Sequence, residues 1–319
     1  MRAFLTLMAA CTLSLVLYLF LFGFLVSRPM VVDQAQEMLD KKLAYGLAAG
    51  HPKIVLIAAS NARFSHSCAV LEQSLHRPCV NLGVAGDVGI DWILDAARRI
   101  LTRGDLAYMP IEFDIYSEPR TRLFTGMDAA YRFRHDKGSL TERGPEGVVR
   151  AAFMFSLPTL AQSLGEMALA EAGVRRRFGL DTLDQQGDET GHDDAKAIPY
   201  LAVIRGEQEN MPNNAGLFAN PDGSQAAIAT FLDWCQAHGV TAVGGLPTIF
   251  NDRPIPDMPI EKLRAFYRAH GAEFLALPNR SQYPRSAFYD TSYHLRESWQ
   301  KRHSALLADE LRPLLPRQD

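Results

Sequence analysis

Three groups of residues, far apart in the chain, have the types and settings that acyl transfer needs. Ser60 closes the aliphatic run of Ile54 to Phe64, IVLIAASNARF, where β-branched residues give way to small ones. A hydroxyl at such a strand-to-helix junction lies at the carboxyl edge of a parallel sheet, where open α/β folds bind ligands. The helix amides there can stabilise a developing oxyanion. The serine also needs a base, because a free hydroxyl is hardly ionised near neutrality. The alternative role for Ser60 is a helix N-cap. Near the other end, FYDTSYHL places Asp290 and His294 four residues apart. There the imidazole can take the serine proton while the carboxylate fixes its tautomer; a surface Asp and His between buried tyrosines is the alternative. Between these groups, Asn81 to Asp87 reads NLGVAGD. Its glycines let backbone N–H groups approach a substrate, so Gly86 is a candidate second oxyanion donor beside the Ser60 amide.

The elements that must position these residues alternate in type. Continuous apolar runs predict strands at Lys53 to Ala58, Cys79 to Val84 and Asp105 to Glu112, with helices over Asn61 to Leu75 and Asp91 to Leu101. This β-α-β-α-β order implies a parallel sheet with helices on both faces. The pattern resumes later with helices at Ser224 to His238 and Ile260 to His270, and strands at Thr241 to Leu246 and Glu273 to Leu277. A final helix runs from about Arg296 to Leu315. Residues 118–218 break the rhythm and read as a mostly helical insertion or lid. Within it, GVVRAAFMFSLPTLAQSLGEMALAEAG is apolar around much of its circumference, although Arg150, Pro158 and Glu166 make it a poor membrane span. It is expected to form a buried helix pair or, second, a helix on a membrane surface or partner.

From Ala3 to Val26 no residue is charged, a run long enough to cross a hydrocarbon core. The flanking GFLVSRPM offers no cleavage pattern, which favours an uncleaved, single-pass anchor. Basic residues flank both sides (Arg2 against Arg28, Lys41 and Lys42), so charge does not set the orientation. The expected domains are an anchor at 1–28, an amphipathic linker at 29–52 and an α/β domain at 53–319. A net charge of −3 over 319 residues argues against nucleic acid as the main partner. Of four cysteines, Cys68 and Cys79 could pair in an oxidising compartment or stay as buried thiols. No C-x-x-C or His-rich cluster is present, so neither a metal nor a cofactor is expected.

In order, the serine after the first strand, Asn-x-Gly-x-x-Gly after the second and Asp…His before the last helix resemble the SGNH/GDSL hydrolase superfamily. The likeness covers Lys53 to Glu112 and Val240 to Leu315, and is strongest to its membrane-anchored branch, which includes alginate O-acetylation and teichoic-acid D-alanylation proteins. That resemblance implies a three-layer α/β/α sandwich with a parallel sheet, held at the outer face of a bacterial inner membrane with its body in the periplasm. It implies a catalytic set of Ser60, Asp290 and His294, with Gly86, Asn61, Asn81 and Glu112 at the oxyanion and substrate positions. The implied activity is an O-acetyltransferase or acetylesterase on an exported polysaccharide, beside a membrane-bound O-acyltransferase or polysaccharide synthase. Ala58-Ala59 stand where the superfamily has Gly-Asp, or Gly-Ser in anchored relatives. Glu112 or Asp114 stands where a third-block asparagine belongs, and Asp290 and His294 are four apart rather than three. These departures support the rival reading, a non-catalytic subunit that binds glycan or docks on a membrane synthase.

Weaker candidates complete the survey. Glu112 and Asp114 could be paired glycosidase carboxylates, but read better as strand-end residues. His192, Asp193 and Asp194 could hold a metal, but read better as part of a solvated acidic loop. Arg175 to Arg177 could meet lipid headgroups or end a helix. Trp92, Trp234 and Trp299 lie at apolar helical positions and are expected to pack in the core rather than stack on sugars.

Overall fold

A computed structural model describes residues 2–26, 31–85, 89–118, 126–142, 144–154, 161, 164–165, 168–169, 172, 180–208 and 216–315. Gly86 and Arg175 to Arg177 lie outside the described residues, as does part of the apolar stretch after 154. The chain forms two compact units, Met1–Gln36 with Thr121–Phe178, and Glu37–Arg120 with Gly179–Asp319.

The first unit holds α1 (Arg2–Val26), the start of α2 (Val31–Ala48), α6 (Gly126–His135), α7 (Lys137–Glu142) and α8 (Gly144–Ala152). Helix α1 is long and apolar enough to cross a membrane. The apolar insertion segment does not form a buried helix pair among the described residues. Val149, Phe153, Leu164 and Leu169 are all exposed, and Ala151 is the buried residue of α8.

The second unit is α/β. Strands β1 (Ile54–Leu56), β2 (Cys79–Asn81), β3 (Leu106–Met109), β4 (Thr241–Gly245) and β6 (Glu273–Leu275) form one sheet in the order β2-β1-β3-β4-β6. Every pairing in it is parallel. β5 (Ile249–Phe250) and β7 (Gln282–Tyr283) pair separately. In this doubly wound order the sheet grows first to one side and then to the other, and the reversal falls between β1 and β3.

Period-two alternation places Ile54, Leu56, Leu106, Tyr108 and Val243 in one cluster with Leu307, Ala308 and Leu311 of the last helix, Glu297–Leu311. The alternate residues Val55 and Ala107 are fully buried too, so the sheet is covered on both faces. Each buried Val, Leu or Ile among them contributes about 1.5–3 kcal/mol of burial. Cys68 and Cys79 are joined as a disulfide, which ties α4 (Cys68–Leu75) to β2.

The helix expected over Asn61 to Leu75 is two helices, α3 (Ser60–Ser65) and α4. His66 takes an extended backbone and Ser67 caps α4 by accepting from the Val70 amide. Tertiary hydrogen bonds hold the break. The Ser67 amide donates to Ser304 Oγ at 2.6 Å, the Cys68 amide to Asp188 at 2.5 Å, and Gln300 Nε2 to the His66 carbonyl at 3.0 Å. The acidic loop is solvated only in part: Asp193 and Asp194 are exposed as expected, whereas Asp188, Glu189 and His192 are buried. It folds over α3, with the Glu189 amide on the Arg63 carbonyl and its carboxylate paired with the Arg63 guanidinium. Of the tryptophans, Trp92 is buried, while Trp234 and Trp299 are half-buried.

Beneath α3 two histidine rings meet, His66 Nε2 to His303 Nε2 at 3.1 Å, with His303 Nδ1 on the Tyr283 hydroxyl at 2.9 Å. Burial pushes His66 down to about 4 and His303 well below its ordinary value. Both stay neutral in the fold, while the unfolded chain protonates them near 6.5, so their contribution to stability is lost as pH falls below that value. Relative to His303→Gln, the wild type should lose up to about 1.4 kcal/mol of unfolding free energy per pH unit from 6.5 towards 5. Urea denaturation at stepped pH measures this, and parallel profiles for the two proteins would contradict it.

Candidate active site

Ser60 is the first residue of α3, directly beyond β1 and therefore at the reversal between β1 and β3. That crevice is where open parallel sheets admit ligands. Ser60 does not act as the cap. The N-cap position is Ala59, which has no capping side chain. Instead Glu112, just past β3, reaches the helix start. Its Oε2 accepts the Ala59 amide at 3.2 Å and its Oε1 the Asn61 amide at 2.9 Å. A carboxylate at a helix N-terminus is favoured by the aligned peptide dipoles. With these donors satisfied by Glu112, the Ser60 hydroxyl makes no hydrogen bond among the described residues and is partly exposed. Burial pushes the Glu112 carboxyl up to about 7, against the pull of its backbone amide partners.

The base is built from the loop after β7. His294 Nδ1 and Asp290 Oδ1 are 2.6 Å apart, and both side chains are buried. Such a bond fixes the ring and leaves Nε2 as the nitrogen that can accept a proton. The ring is held flat on Phe64, at 4.1 Å between centroids and 16° between planes. Phe64 lies one helical turn beyond Ser60, so the two side chains share a face of α3. The imidazole therefore stands on the side of α3 that carries the serine. Ser60 and His294 make no hydrogen bond to each other.

Ser65 sets the height of the histidine loop. Its hydroxyl donates to the Tyr293 carbonyl at 2.8 Å and accepts the Leu295 amide at 3.1 Å, gripping the residues on either side of His294. One short helix thus carries the nucleophile candidate in its first turn and the clamp of the base in its last.

Asn61 and Asn81 hold the backbone that frames this site. Asn61 Nδ2 donates to the Pro110 carbonyl at 2.8 Å, and its Oδ1 accepts the Thr248 hydroxyl at 2.8 Å, joining α3 to the ends of β3 and β4. Asn81 Nδ2 donates to the Ala62 carbonyl at 2.7 Å and to Asp188 at 2.8 Å. Its Oδ1 accepts the Gly83 amide at 3.0 Å. Both side chains are fully buried and committed to the fold. A Cβ on Gly83 would lie 2.6 Å from the Arg63 amide nitrogen and 2.7 Å from the Ala59 carbonyl oxygen, so only glycine lets this turn approach α3.

Glu112 meets the backbone on either side of Ser60, and the Asp290–His294 pair packs on Phe64 of the same short helix. The sequence reading missed Phe64, Ser65, Arg63–Glu189 and His192 as parts of the surround. His192 packs edge-on against Phe64 at 5.5 Å and Tyr289 at 5.7 Å, walling the ring that supports His294. Burial pushes its pKa down to about 4, so it serves as a neutral packing ring. Asp193 caps the helix Asp194–Ala197, and Asp194 pairs with Arg296.

The chain is therefore an α/β protein with a parallel five-stranded sheet, a serine at its carboxyl edge that makes no side-chain hydrogen bond among the described residues, and a buried His–Asp pair packed on the same short helix. Compared with protein-family models, curated proteins and solved structures, it matches none.

Glu112→Ala should cost about 2–5 kcal/mol of unfolding free energy, because two buried amides lose a charge-assisted acceptor. Equilibrium denaturation tests this, and a loss below about 0.5 kcal/mol, the scale of an ordinary surface change, would contradict the capping role.

Proposed function

We propose that this protein is a membrane-anchored, extracytoplasmic serine acyl-transfer enzyme, with an SGNH-like sandwich as its α/β unit. The observation that carries the proposal is the His294–Asp290 pair held on Phe64, one turn from a serine that capping leaves uncommitted. Ser60 Oγ attacks the acyl carbonyl carbon as His294 Nε2 takes its proton. Asp290 holds the opposite ring nitrogen and balances the imidazolium charge. The Ser60 amide, which has no intrahelical partner at the first helical position, points donor character at the oxyanion. Gly86 is the proposed second donor. Collapse expels the leaving alcohol, which takes the proton from His294, and the acyl group rests on Ser60 as an ester. A second hydroxyl, from water or from a sugar, then gives its proton to His294 and receives the acyl group, and His294 returns that proton to Ser60 Oγ as the ester bond breaks.

Three features support the cellular setting. Helix α1 has the length and apolarity of a membrane span. The Cys68–Cys79 disulfide belongs to an oxidising compartment, which fits a periplasmic body on an inner-membrane anchor. The resemblance to anchored O-acetylation proteins favours an exported polysaccharide as acceptor and a membrane-bound O-acyltransferase or polysaccharide synthase as neighbour. The rival reading, a glycan-binding or docking subunit without catalysis, draws on Glu112, whose carboxylate takes the amides on either side of Ser60 and so puts negative charge near the proposed oxyanion.

A fluorophosphonate probe separates the two. Full-length protein should be labelled at Ser60, with labelling abolished in Ser60→Ala and slowed by roughly 10²–10⁴-fold in His294→Ala, the usual scale of general-base catalysis. Folded wild type that resists the probe would favour the binding subunit.

A further inference from the structure

Helix α1 does not stand alone within its unit. The Tyr18 hydroxyl donates to the Ala152 carbonyl at 2.7 Å, and the Tyr18 and Phe153 rings stack at 5.2 Å. Phe22 meets Phe133 of α6 edge-on at 5.1 Å. Tyr18 lies about 12 Å along the axis from the end of α1 at Val26, at 1.5 Å per residue. The uncharged run reaches to that end, so Tyr18 sits below the level at which a bilayer of about 30 Å would meet water. The end of α8 is therefore seated against the part of α1 that lipid would surround.

The exposed side chains of the insertion suit that depth. Val149 and Phe153 are one turn apart on the same face and are 57% and 52% exposed. Leu164 and Leu169 are 42% and 54% exposed. Two charges share that face of α8, since Glu146, Val149, Arg150 and Phe153 follow the i, i+3, i+4, i+7 spacing. Glu146 and Arg150 pair along α8 at 4.0 Å, and Arg134 and His135 both meet Asp33 at 2.6 Å, beyond the apolar run of α1. A long cationic stem can keep its head in water while its neighbours are in lipid.

We infer that α8, with the exposed Leu164 and Leu169 beyond it, is a second membrane element, whose exposed apolar side chains are covered by acyl chains of the bilayer that α1 crosses. The occupant is lipid because the end of α8, at Ala152 and Phe153, lies against Tyr18 within the uncharged run of α1. This rests on the anchoring proposed for α1. The insertion then works as a foot inserted into one leaflet beside the anchor, without spanning.

Spin labels on the full-length protein in phosphatidylcholine–phosphatidylglycerol vesicles test the inference. Single cysteines replace Val149, Phe153, Leu164, Leu169, Leu13 on α1, or the exposed Glu261 as an aqueous control, in a Cys11→Ala background; Cys235 is buried and stays. Power saturation should show labels at 149, 153, 164 and 169 colliding several-fold more with oxygen, relative to a water-soluble nickel chelate, than the label at 261. If Leu13 reports lipid while the four insertion sites report water, the foot is refuted and the anchor stands. If Leu13 also reports water, both fall. Labels shielded from both reagents and broadened by dipolar coupling would place a second copy of the chain on this face, which also overturns lipid as the occupant.

Discussion

The site depends on one substitution of roles at the start of α3. A serine that opens a helix would ordinarily spend its hydroxyl on the unsatisfied amides there. Here a carboxylate from the end of the neighbouring strand takes them instead, with Glu112 bridging the amides on either side of Ser60. The sheet order makes this bridge possible, because β1 and β3 are adjacent and parallel, so their carboxyl ends emerge side by side. Capping from a distance costs burial of a carboxyl group, which raises its pKa towards neutrality. It leaves the serine free at the place where parallel sheets receive ligands.

Everything else near the site stiffens that short helix. Six residues cannot hold a helix by local bonding alone. Asn61 ties it to the ends of β3 and β4, Asn81 to the turn after β2, and Arg63 to Glu189. A buried ion pair adds little net stability against apolar packing, but breaking one partner is costly, so such a pair fixes position more than it stabilises. Gln300 of the last helix adds its amide to the carbonyls of His66 and Glu189. The histidine loop is gripped by the same helix through Ser65 and Phe64, which makes the imidazole follow any movement of the serine.

Legibility in the sequence followed the length scale of each interaction. The strands and most helices were readable because continuous apolar runs and helical periodicity are local signals, and Ser224 to His238 matches to the residue. Asp290 and His294 were readable as a pair because they are close in sequence. The break between α3 and α4 was not, because it is held by Ser304, Asp188 and Gln300, all more than a hundred residues away. The acidic loop misled for a related reason. Its charges look solvated one by one, yet Asp188 and Glu189 each have a buried partner that composition cannot supply. The cap from Glu112 was equally hidden, since a carboxylate after a strand carries no mark of the helix it will meet.

The central claim is that the serine, left uncommitted, carries an acyl group by way of the adjacent imidazole. Rapid mixing with an activated acetyl ester, acid quenching and peptide mapping of the full-length protein test it most directly. An acetyl group on the peptide containing Ser60 is expected in the wild type, forming far more slowly in His294→Gln. A wild-type protein that remains folded and never acquires acetyl at Ser60 would contradict the claim.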